Sequence, residues 1–90
     1  MTVLRLRATG LTWLETDGEL VALDEQAATY LSGNPAAALL WPELAAGATK
    51  DGLVEALLDA FEIDRTRAAA DVDAFVADLR ARNLLDEEER

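Results

Sequence analysis

Catalysis in a folded chain needs a nucleophile beside a base, acids with separated roles, or a set of metal ligands, and this sequence is poor in all three. Its aliphatic hydroxyls are Ser32, Thr2, Thr9, Thr12, Thr16, Thr29, Thr49 and Thr66, and there is no His, so a Ser-His-Asp arrangement has no base. A Ser-Lys dyad would have to use Lys50, the single lysine, whose neighbours Thr49 and Asp51 read as an ordinary helix cap. Without Cys there is neither a disulfide framework nor a thiolate zinc site, and the missing His removes the commonest metal ligand and general base. Carboxylates abound, as in Asp71 with Asp78 or Glu87-Glu88-Glu89, but in so acidic a chain they read as solvated surface rather than an acid–base pair. The five glycines form neither GxGxxG nor a P-loop. The reading is therefore a non-enzyme with no catalytic residue, no metal and no cofactor.

Ninety residues make one domain, able to bury about 60 to 65% of the surface of its unfolded chain. Hydrophobic residues are 51% and charged residues 29%, a globular balance. Eighteen acids against eight bases leave a net charge of -10. Such a field repels nucleic-acid phosphates and anionic lipid, which argues against both as partners. Residues Met1 to Arg7 contain no apolar run of signal-peptide length, and no stretch approaches the roughly 18 apolar residues of a membrane span, so a soluble cytoplasmic protein is expected. Eighteen Ala, seven Arg and a lone Lys suggest a GC-rich bacterial genome.

The elements that must position any site follow from period. Leu4 and Leu6 alternate with Arg5 and Arg7, and after a break at Thr9-Gly10 the alternation resumes at Leu11 and Trp13, which predicts one strand with a bulge or bend. Asp17-Gly18 predicts a hairpin turn, Glu19 to Asp24 the return strand, and Ala28 to Ser32 a short third strand, together an antiparallel meander. In the run Thr29-Tyr30-Leu31-Ser32-Gly33-Asn34-Pro35 the period then changes. Asn34 is a favoured N-cap and Pro35 fits the first helical position, predicting a helix that buries Ala36, Leu39, Leu40 and Leu44, with a kink or early end near Trp41 because Pro42 cannot donate to the Ala38 carbonyl. A second helix, capped by Thr49, carries Leu53, Val54, Leu57, Leu58 and Phe61 at helical spacing. A third, capped by Asp64, runs to about Arg82 with Asn83 as a left-handed stop and puts Ala68, Val72, Phe75, Val76 and Leu79 on one stripe. Leu84-Leu85 folds back on the bundle, and Asp86 to Arg90 reads as a charged, frayed tail.

A short strand placed late in a meander is a sheet edge, and an open edge is either a liability to be covered or a template on which an extended peptide adds itself as a further strand. Trp13, Glu19 to Asp24, Thr29 to Pro35 leading to Leu39-Leu40-Trp41, Gly47-Ala48-Thr49 with Leu53-Val54 and Leu57-Leu58, and Ala70-Asp71-Val72 with Phe75-Val76, Leu79 and Leu84-Leu85 together resemble, in order and spacing, the PqqD-like family, also called the RiPP recognition element. The resemblance spans roughly residues 11 to 85. It implies an α+β, winged-helix-like fold, a three-stranded antiparallel sheet followed by three helices, in a single recognition domain over residues 1–85 with a flexible tail over 86–90. It further implies that the chain binds the leader segment of a ribosomally made precursor peptide, as standalone lasso-peptide recognition proteins do beside a leader peptidase and a cyclase.

On that resemblance the leader pairs with the third predicted strand, Ala28, Thr29, Tyr30, Leu31 and Ser32, in a groove whose other wall is the third helix through Asp71, Val72, Phe75, Asp78, Leu79 and Arg82. Were the acids to face the groove, a leader with Lys or Arg is expected; the alternative for Asp71, Asp78 and Arg82 is a surface i,i+4 pair and solubilising charge. Tyr30 is either a wall of the pocket or packed on the sheet's own face. Gly33 stands where the family usually has a leucine, which predicts a looser strand end. A winged-helix-like DNA-binding protein is the competing reading, opposed by Asp71, Asp73 and Asp78 on the helix that would enter DNA; a structural interaction subunit is another. An exposed edge can also pair with itself, which leaves monomer and edge-paired dimer both open.

Overall fold

Asp17 and Gly18 take positive φ, 52° and 75°, the backbone that a two-residue hairpin loop demands because its twist matches that of the flanking strands. They join β2 (Leu11–Thr16) to β3 (Glu19–Asp24), and Asp24 through Ala28 turn the chain back into β4 (Thr29–Gly33). The three form an antiparallel sheet in the order β2-β3-β4, so the expected meander is present. In the computed structural model, which describes residues 1–90, three helices follow: α1 (Pro35–Ala46), α2 (Lys50–Ala60) and α3 (Arg65–Ala81). The expected α+β, winged-helix-like architecture of a three-stranded sheet and three helices is thus observed, and a second sheet is added to it. This pairs β1 (Thr2–Leu6) with β5 (Leu85–Glu89) antiparallel, from Thr2↔Glu89 to Leu6↔Leu85.

The second sheet corrects two expectations. Residues 2–16 are not one bulged strand but two strands in different sheets, because the chain turns sharply between Arg7 and Leu11. Gly10 takes φ 72° there, and the Arg7 guanidinium holds the turn by donating to the carbonyls of Thr9 (2.8 Å) and Gly10 (3.1 Å). Residues 86–90, expected to fray, lie mostly in β5, where Asp86 and Glu87 pair opposite Arg5 and Leu4. Backbone pairing overrides a composition that by itself belongs in water, and the charged side chains make this an edge that resists further strand addition.

Helix boundaries follow their caps. Asn34, Thr49 and Asp64 each accept, through side-chain oxygen, a hydrogen bond from the backbone N–H three residues on, at 2.9, 3.1 and 2.8 Å, satisfying one of the donors that a helix start leaves open. Asn83 takes φ 58° just past α3, as its type favours. Helix α1, however, runs through Pro42 to Ala46 and stops at Gly47, φ 97°. Pro42 itself is exposed, so its ring displaces no core side chain. Its buried positions are Ala37, Ala38, Leu40, Trp41 and Leu44, while Ala36 and Leu39 are only half-buried, because α1 is covered from more than one side rather than along one stripe. Phe61 falls just outside α2 and is exposed.

One core of 17 buried residues joins both sheets to the bundle, from Leu4 and Leu6 through Leu20, Ala22, Trp41 and Leu53 to Val72, Val76, Leu79 and Leu84. Each large aliphatic side chain in it contributes about 1.5 to 3 kcal/mol by leaving water. The polar exception is Asp24, 5% exposed, whose Oδ1 accepts from Arg7 Nη2 at 2.6 Å and from the N–H groups of Gln26 and Ala27. Arg7 also donates to the Asn83 carbonyl, so one guanidinium ties the turn between β1 and β2, the end of β3 and the end of α3 together.

Candidate functional site

The sheet order leaves β4 with one neighbour, β3, and which of its backbone groups are spare follows from the hairpin. A two-residue loop makes Thr16 and Glu19 exchange both backbone hydrogen bonds, and the pairs then alternate along the strands. Glu19, Val21 and Leu23 therefore direct their N–H and C=O to β2, and Leu20, Ala22 and Asp24 direct theirs to β4. Across from them Gly33, Leu31 and Thr29 are satisfied. Tyr30 and Ser32 are the β4 residues whose N–H and C=O point away from the sheet.

They point into a groove of about 680 Å³. Its strand side is Tyr30, Leu31, Ser32 and Gly33; its far wall is α3 through Arg67, Asp71, Ala74, Phe75, Asp78, Leu79 and Arg82; its floor is Leu20, Leu40, Trp41 and Leu57, with Ala36 and Ala37 closing one end. The mixture is that of a peptide site: an apolar floor, charged lips and a row of unpaired backbone groups.

Of the residues expected here, Tyr30, Leu31, Ser32, Asp71, Phe75, Asp78, Leu79 and Arg82 come together around this groove. Ala28 does not: its φ is 53°, in the turn before β4 rather than in the strand. Thr29 lines a smaller neighbouring cavity with Asp24, Leu31 and Arg82. Val72 is fully buried, because its place on the α3 stripe faces the core between the sheets and α2. Phe75, half-buried, serves both core and groove. Tyr30 is 73% exposed and stands on the outer face of the sheet at the groove's lip.

The charges of the α3 wall are already matched along the helix. Arg82 pairs with Asp78 at 3.3 Å and Arg67 with Asp71 at 3.8 Å, all four exposed. Such pairs are worth a few tenths of a kcal/mol, so the wall offers two acids and two bases that a ligand can compete for at little cost. Sequence reasoning missed the α1 contribution, Ala36, Ala37, Leu40 and Trp41, although the immediate succession of β4, Asn34 and Pro35 forces the first turns of α1 against the strand's end. Gly33 shows how tightly: a Cβ there would lie 2.7 Å from the Ala37 Cβ and 3.3 Å from Leu20 Cδ2. The strand end expected to be loose is closely packed, and a small residue is what permits it. Beneath, Trp41 is 1% exposed, its Nε1 has no hydrogen-bond partner, and its ring meets Trp13 edge-on with centroids 6.5 Å apart.

A sheet whose β4 edge is open and faces a groove walled by the last helix of a three-helix bundle defines a winged-helix-like fold rather than a cleft built around reactive side chains. Residues 19–85 match the family of coenzyme PQQ synthesis protein D (PqqD), and the chain belongs to that family. Among solved structures, it is similar to TbiB1 in complex with the TbiA(beta) leader peptide, at TM-score 0.82 and 23% identity over 91% of this chain and 94% of that one. It is also similar to lasso peptide synthetase B1 complexed with the leader peptide, at TM-score 0.78 and 29% identity over 92% of this chain and 96% of that one. No curated protein sequence matches.

Proposed function

We propose that the chain is a non-catalytic adaptor of lasso-peptide type, which binds the leader segment of a ribosomally made precursor as an added strand on β4 and presents it to a leader peptidase and a cyclase. The observation that carries this reading is the open edge of β4 beside the groove; family membership and the leader peptides held by the two similar proteins support it. Tyr30 and Ser32 supply the ladder hydrogen bonds, and Leu31, Phe75, Leu79 and the floor around Trp41 take the leader's apolar side chains. Asp71, Asp78 and Arg82 fix its register by exchanging their helix partners for charges on the peptide. The work is done in the cytoplasm, and no helix is long and apolar enough to cross a membrane.

The experiment is fluorescence anisotropy of a labelled leader, taken from the precursor encoded beside this protein, against wild type, Tyr30→Pro and Ser32→Pro. Proline deletes the N–H that points away from the sheet, so both variants are expected to keep the wild-type circular dichroism and to lose affinity about tenfold or more. A leader that binds folded proline variants as tightly as wild type would exclude strand addition. No binding to wild type would exclude the adaptor reading itself.

A further inference from the structure

The β2-β3-β4 sheet has a second edge. Because Thr12, Leu14 and Thr16 bond across to β3, the N–H and C=O groups of Leu11, Trp13 and Glu15 point away from the sheet along the free side of β2. Nothing shields that side. The substantial contacts of β2 are with β3 alone, and every residue from Thr12 to Thr16 is exposed. Natural edges are blunted by Lys, Pro, runs of charge or a covering element. The other edges have such guards: β5 carries Asp86-Glu87-Glu88-Glu89, Leu4 of β1 is bridged to Ala48, and β4 faces α3 across its groove. β2 reads Leu-Thr-Trp-Leu-Glu-Thr, with one charge, no proline, and Thr and Trp that favour a strand. It is a strand prepared for a neighbour.

The neighbour that fits is β2 itself. Laid antiparallel on a second copy about a two-fold axis through Trp13, Leu11 stands opposite Glu15 of that copy, Trp13 opposite its counterpart and Glu15 opposite Leu11, so every spare group on both edges is bonded. Trp13, 40% exposed, gains an aromatic cross-strand partner on the core-side face, and Leu14, 65% exposed, stands opposite Thr12 on the outer face. The two Glu15 carboxylates lie four residues of strand apart, about 13 Å, beyond the screening length of about 8 Å at physiological salt. We infer that the chain forms a closed dimer by antiparallel pairing of β2 with β2, a continuous sheet in the order β4-β3-β2-β2-β3-β4. The β4 edge does not serve the same purpose, since a groove of about 680 Å³ walled by α3 admits an extended segment but not a second sheet. Both grooves therefore stay open at the ends of the joined sheet, and the inference is independent of what occupies them. Each copy carries a charge of -10, and one strand pair buries less than the roughly 800 Å² per partner of a standard interface. The dimer is consequently weak, and salt strengthens it.

The test is sedimentation equilibrium of the full chain from about 5 to about 500 μM, in about 50 and about 500 mM NaCl, on wild type, Glu15→Pro and Tyr30→Pro, with circular dichroism of the same samples. Wild type is expected to pass from monomer to dimer across that range and to dimerise about threefold or more tightly at the higher salt. Glu15→Pro removes an N–H that bonds nothing within the chain, so it should keep the wild-type spectrum and stay monomeric, although it carries less charge to repel a second copy. Tyr30→Pro should dimerise as wild type does. Register is read by mixing a Thr12→Cys copy with a Leu14→Cys copy. The natural chain has no Cys, and the mixture should form a disulfide between copies on oxidation faster than either variant alone. Wild type that is monomeric at the highest concentration in both salts overturns the proposal, as does a dimer that Glu15→Pro keeps or that Tyr30→Pro loses. Species larger than a dimer, or cross-linking no faster in the mixture than in the separate variants, overturn it as well.

Discussion

β1 and β4 each have a side that their own sheet leaves unpaired, and the chain treats these two sides oppositely. β1 is paired with β5 on one side, and on the other Leu4 closes an isolated bridge with Ala48, donating its N–H at 2.7 Å and accepting the Ala48 N–H at 2.8 Å. Val3, Leu4 and Leu6 are buried. β4 is paired on one side only, and of its five residues none is buried. A few residues of loop, Gly47 to Thr49, suffice to blunt an edge, so the open edge of β4 is a retained feature rather than a cost of small size.

Substitutions can test that contrast. The largest effect belongs to the closed strand: Leu4→Ala, at a site 2% exposed, is expected to cost about 2 to 5 kcal/mol in urea unfolding. Next comes the same change made at both edges. Ala48→Pro removes a bonded N–H and strands the Leu4 carbonyl, costing about 1 to 3 kcal/mol. Tyr30→Pro removes an N–H that bonds nothing in the free protein and is expected to change stability by less than about 1 kcal/mol while abolishing peptide binding. Equal destabilisation by the two prolines would refute the distinction between the edges.

A subtler difference concerns pH. Hydrogen bonding from Arg7, against the opposing effect of burial and with help from the N–H groups of Ala27 and Gln26, holds the Asp24 carboxyl below the usual carboxylate range. Because the folded value is the lower one, the stabilisation is complete at neutral pH and disappears as pH falls through the carboxylate range toward that value. Asp24→Asn is therefore expected to be less stable than wild type at neutral pH, with the gap narrowing on acidification; urea midpoints measured across that range check the sign. The smallest effect is at the groove wall, where Asp78→Ala breaks an exposed i,i+4 pair and should shift stability by no more than a few tenths of a kcal/mol. Any larger change it makes in leader affinity then reports contact with the peptide.

Legibility in the sequence followed the range of the interactions. Caps act over three residues, so Asn34, Thr49 and Asp64 were readable, as was the Asp17-Gly18 turn. The α3 stripe was readable too, although it places Val72 in the core and only Phe75 and Leu79 at the groove. β5 was not, since Asp86-Glu87-Glu88-Glu89 has no period, and only its partner, more than eighty residues away in sequence at Thr2↔Glu89, makes it a strand. The groove's floor was missed for the same reason. Trp41 and Leu57 reach it through packing between elements, a matter of helix placement that no local pattern records.

The tryptophan pair has an optical consequence. The chain has two indoles, one sealed beneath the groove and one partly in water, meeting edge to face. The protein therefore carries its own dye: the sealed ring emits to the blue of its neighbour, and their closeness couples the two transitions into near-ultraviolet ellipticity. A chain settling into the groove rests on the floor that Trp41 helps to form, so occupancy can be followed as a change in colour and ellipticity without a label, and Trp13→Phe would leave the buried ring as the sole reporter.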